Sequence, residues 1–151
     1  TAYKFRDPEG HPLEFIMRKP AKPPAVARID HSAISERDTA ASMAFYEGLG
    51  LAAGRRSLNV GIEQERLDGV RNAIVEVTAL ELPEGNAPHV ELLHYRGEYD
   101  RTVPLPGPDD IAATRLVFSM PDEKTLMRVA DAAGNLFRDP DGHILEFEVG
   151  A

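Results

Sequence analysis

Residues 137–147, FRDPDGHILEF, repeat residues 5–15, FRDPEGHPLEF, from the opposite end of the chain. The offset is 137 − 5 = 132, and at that offset Arg6, Asp7, Pro8, Gly10, His11, Leu13, Glu14 and Phe15 all recur, which marks an internal duplication. DPDG and DPEG supply a tight turn: Asp bonds nearby backbone, Pro fixes φ, and Gly accepts a positive φ. HILEF then alternates as the outgoing strand, so each copy is expected to be a hairpin that ends a domain. That strand puts Ile144, Glu146 and Glu148 on one face and Leu145, Phe147 and Val149 on the other. The turn residues are scaffold. Glu146 and Glu14 differ, because a mid-strand carboxylate among core-type residues is costly to bury unless it is paired or binds a cation.

The chain has 151 residues, enough for one well-buried domain or two half-domains sharing a core. Its 17 Lys and Arg against 25 Asp and Glu give 17 − 25 = −8, a charge unsuited to neutralising phosphates, so nucleic acid is not expected as a partner. The absence of Cys rules out disulfides, zinc–thiolate sites and a thiol nucleophile. No apolar run approaches the ~20 residues that span a bilayer, and TAYKFRDPEG has no signal-peptide core. The expectation is a soluble, cytoplasmic protein with no membrane partner. The first residue, Thr1, suits a processed start or a preceding segment.

ARIDHSAI (27–34) is a strand by composition, with Ile29, His31 and Ala33 on one face. ERDTAASMAFYEGLGL follows as a helix capped by Asp38, with Ala40, Met43, Ala44 and Phe45 as its apolar stripe and Gly48 and Gly50 at its end. A strand is expected around residues 58–63, and NAIVEVTAL (72–80) and HVELLHY (89–95) form an antiparallel hairpin. The Pro- and Gly-bearing stretch 96–113 separates two halves. TRLVFSM (114–120) restarts a strand and PDEKTLMRVADAAG a helix, with Pro121 at its first turn and Gly134 at its end. Only NLF then separates Gly134 from RDPDG, so the second module is short of a loop or strands after Gly134.

IDHSAI, AFYEGLGL, HVELLHY and FRDPDGHILEFE together resemble the vicinal oxygen chelate superfamily, which includes glyoxalase I, bleomycin-resistance proteins and extradiol dioxygenases. The resemblance spans nearly all of residues 26–150. It implies an α+β fold of paired βαβββ modules, here 26–97 and 112–150, whose curled mixed sheet encloses a cleft for a divalent metal. Residues 1–20 then correspond to the terminal hairpin of a preceding, largely absent domain copy, with Glu14 separated from its histidine. The resemblance also implies a small-molecule ligand and a homodimer.

The superfamily's ligand positions fall on His31, Glu91, Arg115 and Glu146. Imidazole and carboxylate oxygen suit Zn, Fe, Mn, Co or Ni without choosing among them. Arg115 is the departure, because a guanidinium has no lone pair for a metal; it can pair with Glu91 or Glu146, or hold a substrate carboxylate. His89 shares a strand face with Glu91 and is a possible replacement ligand, whereas His94 and His143 are expected to face solvent. Tyr95 joins Arg115 as a substrate-binding candidate. Leu136 and Lys4 stand where the ring-cleaving dioxygenase pattern has Tyr, and Arg115 replaces the His of fosfomycin-type chemistry. The HVELLHY strand is closest in character to the glyoxalase and epimerase type, which implies a lyase or isomerase moving a proton next to a carbonyl, with Glu146 as base. The alternatives are a non-catalytic protein of the bleomycin-resistance type that sequesters a ligand and, second, a protein related to the ring-cleaving dioxygenases.

Overall fold

The structure is a computed structural model that describes residues 2–17, 28–83, 88–97, 107, 109–110, 113–129 and 136–150. Its elements are β1 (Ala2–Arg6), β2 (Pro12–Ile16), β3 (His31–Glu36), α1 (Thr39–Gly48), β4 (Ala52–Val60), α2 (Ile62–Asp68), β5 (Ile74–Glu81), β6 (His89–Tyr95), β7 (Arg115–Met120), α3 (Glu123–Val129), β8 (Leu136–Arg138) and β9 (Ile144–Val149). The result is the expected α+β architecture. A four-stranded sheet runs β3-β6-β5-β4, a three-stranded sheet runs β7-β9-β8, and β1 and β2 form a separate hairpin.

In both modules the first strand pairs in parallel with the last, and every other pairing is antiparallel. The registers correspond: Ala33 lies opposite Glu91 in β3 and β6, and Val117 lies opposite Glu146 in β7 and β9. His31 and Arg115 each precede that register position by two residues, on the same strand face. Arg115 thus stands in the second module where His31 stands in the first. Among the described residues the second sheet has one strand fewer than the first. The segment after Gly134 expected to be short lies partly outside the described residues.

Asp38 caps α1 as expected, its carboxylate accepting from the N–H groups of Ala40 and Ala41. The buried face of α1 differs from the apolar stripe, since Ser42 and Tyr46 are its buried residues, with Met43 and Phe45 only partly covered. The reason lies in the second module. The Tyr46 hydroxyl donates to Asp139 Oδ2 at 2.9 Å, and the Ser42 hydroxyl to Asp141 Oδ2 at 3.2 Å, so the FRDPDGH turn docks on the polar side of this helix. The core joins Ile34, Tyr46, Leu51, Leu80, Val90 and Leu92 of the first module to Leu145 and Phe147 of β9. Phe147 stacks on Phe118 and meets Phe137 edge-on, at centroid separations of 5.5 and 5.4 Å.

The strand expected at 58–63 is displaced. β4 ends at Val60, Gly61 turns the chain with φ +98°, and IEQERLD continues as α2, with Glu63 and Glu65 in its first turn and Arg66 in its last. Ile29 is exposed ahead of β3 rather than part of it. The β1–β2 hairpin packs beside α2, where the Lys4 ammonium donates to Gln64 Oε1. His94 and His143 do not face solvent as expected. His94 Nδ1 lies 3.3 Å from buried Glu36, and His143 Nδ1 lies 3.1 Å from Asp139 Oδ2.

Asp139 holds the docking turn together. Its Oδ1 accepts from the N–H groups of Asp141 and His143 at 3.0 and 2.8 Å, while Gly142 follows with φ +95°. Burial is the largest single influence on this carboxyl and pushes its pKa up, but the His143 bonds and charge and the Tyr46 hydroxyl outweigh it and hold the group below its ordinary 3.8. For Tyr46, burial first and the Asp139 charge second push the phenol well above its usual range. Replacement Tyr46→Phe is expected to lower unfolding free energy by about 1–3 kcal/mol, measured by urea denaturation, because it removes a buried donor. Asp139's folded pKa is depressed, so its contribution is complete above 3.8 and is lost as pH falls through the lower folded value. Asp139→Asn is therefore expected to flatten the acid side of the stability–pH profile.

Candidate metal and substrate site

The exposed face of the first sheet carries His31, Ala33 and Ser35 from β3, while Ile34 and Glu36 turn to the core. On β6, Glu91 shares this face with His89, Leu93 and Tyr95, and Val90 and Leu92 are buried behind it. Parallel pairing sets His31 opposite His89, and their rings lie 5.4 Å apart.

Acidic groups converge on His31. Its Nε2 lies 3.3 Å from Glu14 Oε1 and 3.7 Å from Glu91 Oε2, and its Nδ1 lies 3.2 Å from Asp30 Oδ2. His89 Nε2 lies 3.4 Å from the other Glu91 oxygen. Asp30, His31 and His89 have ligand atoms within 4.8 Å of one another. His31, Glu91, Glu14 and His89 are largely shielded from water. The ligand atoms placed to share one cation are those of Asp30, His31 and His89, and Glu14 and Glu91 flank them through His31 Nε2.

The sequence-derived pair His31 and Glu91 is thus brought together, but the second carboxylate at the site is Glu14. Glu146 lies on β9, where its Oε2 is 3.4 Å from Arg115 Nη1 rather than beside His31. Glu14 and Glu146 occupy the same place in the repeat, so the duplicated hairpin delivers a glutamate to His31 from the N-terminal copy. Glu14 is therefore not separated from a histidine. The signal was visible in the 132-residue repeat, but which copy faces His31 depends on where the hairpin folds back. Asp30 was missed altogether, because the strand expected over 27–34 puts it on the face opposite His31, whereas β3 begins only at His31.

Tyr95 is at the far end of the Glu91 face, packed on the small second core of Ala73, Val75 and Val77. A second group of possible ligands, Asp7, Glu9 and His11, is exposed in the first hairpin's turn. Asp7 there repeats what Asp139 does: its Oδ1 accepts from the N–H groups of Glu9 and His11, and the hydrogen bond from His11 holds its pKa below 3.8. That group is turn architecture.

No family model matches the chain, and no curated protein does. Solved structures do. A glyoxalase family protein from Bacillus cereus superposes with a TM-score of 0.58 at 21% identity, covering 89% of this chain and 100% of the other. The glyoxalase I of Leishmania major, described as trypanothione-dependent, superposes with a TM-score of 0.53 at 21% identity, covering 82% of this chain and 87% of that one. The likeness is one of fold, shared with these two glyoxalase structures. By strand register, Arg115 and Glu146 stand in the second module where His31 and Glu91 stand in the first.

Arg115 and Glu146 are each about two-fifths exposed, at 43% and 41%. Water screens a pair so placed, and Arg115→Ala is expected to change unfolding free energy by less than about 1 kcal/mol in chemical denaturation.

Proposed function

We propose that the chain is a glyoxalase-like, metal-dependent lyase or isomerase that acts on a small oxygenated metabolite by proton transfer next to a carbonyl. The observation that carries this reading is the convergence of Glu14 and Glu91 on His31 Nε2, at 3.3 and 3.7 Å, with Nδ1 turned to Asp30. The donor set fits a divalent cation of the Zn, Fe, Mn, Co or Ni group, with His31 and His89, whose ligand atoms lie within 4.8 Å of one another, as ligands and Glu91 beside them. Such a cation would polarise a carbonyl oxygen and stabilise the enolate formed next to it.

The chain's own residues do the rest. Asp30 holds the His31 ring so that Nε2 faces the cleft, the role an outer carboxylate plays toward a ligating histidine. His89 steadies Glu91 through its second oxygen. Glu14 presents Oε1 at the cleft, where it takes the proton from the carbon next to the carbonyl and returns it to the neighbouring position. Glu14 replaces Glu146 as the proposed base, because the Arg115 charge engages Glu146. Tyr95, further along the same face, is the substrate-side residue of this cleft.

Arg115 supports a second reading, in which the cleft around Arg115 and Glu146 sequesters a ligand without chemistry. Turnover separates the two.

Divalent metal titrated into the protein by calorimetry is expected to bind tightly in the wild type and in Glu146→Gln, and to lose the tight site in His31→Ala. Asp30→Asn is expected to weaken binding by about 10–100-fold. Metal-loaded protein in D₂O should exchange the carbon-bound proton of simple α-hydroxycarbonyl compounds, followed by NMR. Glu14→Gln should slow this by about 10²–10⁴-fold. Exchange that survives Glu14→Gln and fails in Glu146→Gln would overturn the assignment of the base.

A further inference from the structure

The N-terminal hairpin has two unlike faces. In its register Lys4 lies opposite Glu14 on one face, while Tyr3 lies opposite Phe15 and Phe5 opposite Leu13 on the other. The helix α2 packs against both strands. Its Gln64 is buried, and the side-chain amide stands between a carboxylate that can only accept and an ammonium that can only donate. Nε2 donates to Asp68 Oδ2 at 2.8 Å, one helical turn further on, and Oε1 accepts from the Lys4 ammonium. The reversed amide would satisfy neither partner, so Asp68 fixes the orientation in which Gln64 holds Lys4. At the C-terminal end of α2, Arg6 Nη1 donates to Gly10 O at 2.8 Å, and its Nη2 lies 3.1 Å from where a Cβ on Gly69 would stand. Gly69 has φ +72°, so glycine suits that position on both counts.

The other copy of the hairpin differs at the position that makes this contact. The repeat sets Leu136 where the N-terminal copy has Lys4, and Leu136 lies directly opposite Glu146 as Lys4 lies opposite Glu14. The Glu146 side chain is 41% exposed and pairs with Arg115, whereas that of Glu14 is 23% exposed and meets His31 Nε2 at 3.3 Å. We propose that Lys4 and Gln64 form a positioning pair that holds Glu14 over the His31 cleft by tying the opposite strand of its hairpin to α2. The proposal deepens the reading of Glu14 as the base and rests on it for its effect on turnover. Lys4 is the direct cross-strand neighbour of Glu14, so a displacement of the hairpin at Lys4 passes to Glu14 through the paired backbone. The flexible lysine stem ends on an amide that burial and Asp68 hold still, and Arg6 steadies the turn end of the hairpin against the end of the same helix. Both residues act through Glu14, whose carboxylate must stand within hydrogen-bond reach of the proton it moves.

The test begins with Lys4→Leu, which installs the residue of the other copy. Carbodiimide-driven labelling of carboxyl groups with glycine ethyl ester, read residue by residue by mass spectrometry, reports on Glu14 without any need for activity. In Lys4→Leu the labelling of Glu14 is expected to rise at least about 3-fold, as for a side chain whose cover opens locally, while Glu9, already 62% exposed in the same hairpin, stays as it is. Gln64→Met, which keeps the length of the side chain and loses the acceptor, should do the same, and Lys4→Arg, which keeps a donor, should return Glu14 to the wild-type level. In metal-loaded Lys4→Leu the kcat of carbon-bound proton exchange is expected to fall about 10–100-fold with KM and metal affinity unchanged, the pattern of a displaced base. Should Gln64→Met fail to fold, Lys4→Leu decides alone. Unchanged labelling of Glu14 in Lys4→Leu would overturn the proposal, as would a rise that Lys4→Arg does not reverse, or raised labelling with kcat intact. A wild type without exchange activity would sink the assignment of Glu14 as base instead, and the labelling would still decide whether Lys4 and Gln64 hold it in place.

Discussion

The parallel pairing of the first and last strand of each module is the constraint on which the rest of the structure depends. Parallel neighbours cannot be joined by a tight turn, so the chain makes a long crossover before it returns, through α1, β4, α2 and β5 in the first module and through α3 and β8 in the second. That excursion carries Glu91 from sixty residues away to the strand beside His31, because 91 − 31 = 60, and sets the two side chains on one face. A slip of one residue would send Glu91 into the core and Val90 into the cleft. The buried Val90 and Leu92 enforce the register, so the hydrophobic core and the polar site are specified by the same alternation.

The second module repeats this geometry and changes the chemistry. Arg115 holds the position of His31, and its guanidinium pairs with Glu146 without offering a lone pair. The two halves of the fold have therefore diverged into a His–Glu pair and an Arg–Glu pair. The carboxylate nearest His31 Nε2 comes from β2, through the N-terminal hairpin packed beside α2. The duplicated hairpin serves two ends: one copy locks the modules together through Asp139 and Tyr46, and the other delivers Glu14 to His31.

Local physical chemistry explains which elements were legible. HVELLHY was placed to the residue, since a short alternating run bounded by turn formers has one reading as a strand. Asp38 was legible as a cap for the same reason. α2 was missed because its seven residues follow a strand with no capping side chain, and only Gly61 marks the change. Tyr46 was not singled out, although it is wholly buried: its hydroxyl finds a partner 93 residues later, which no local pattern reveals.

The sequence by itself determined the order of strands and helix and the repeated hairpin, because each follows from periodicity, turn chemistry or the repeat; the paired α+β modules and the His31–Glu91 pairing were what the resemblance to the vicinal oxygen chelate superfamily implied. Tertiary structure alone decided that Glu14 rather than Glu146 meets His31, that Asp30 turns the imidazole, and that Arg115 engages Glu146. The reason is that two hairpins of nearly identical sequence have the same local preferences. Their different fates are set by what they pack against: α1, β7 and α3 for one, α2 and the open face of the first sheet for the other.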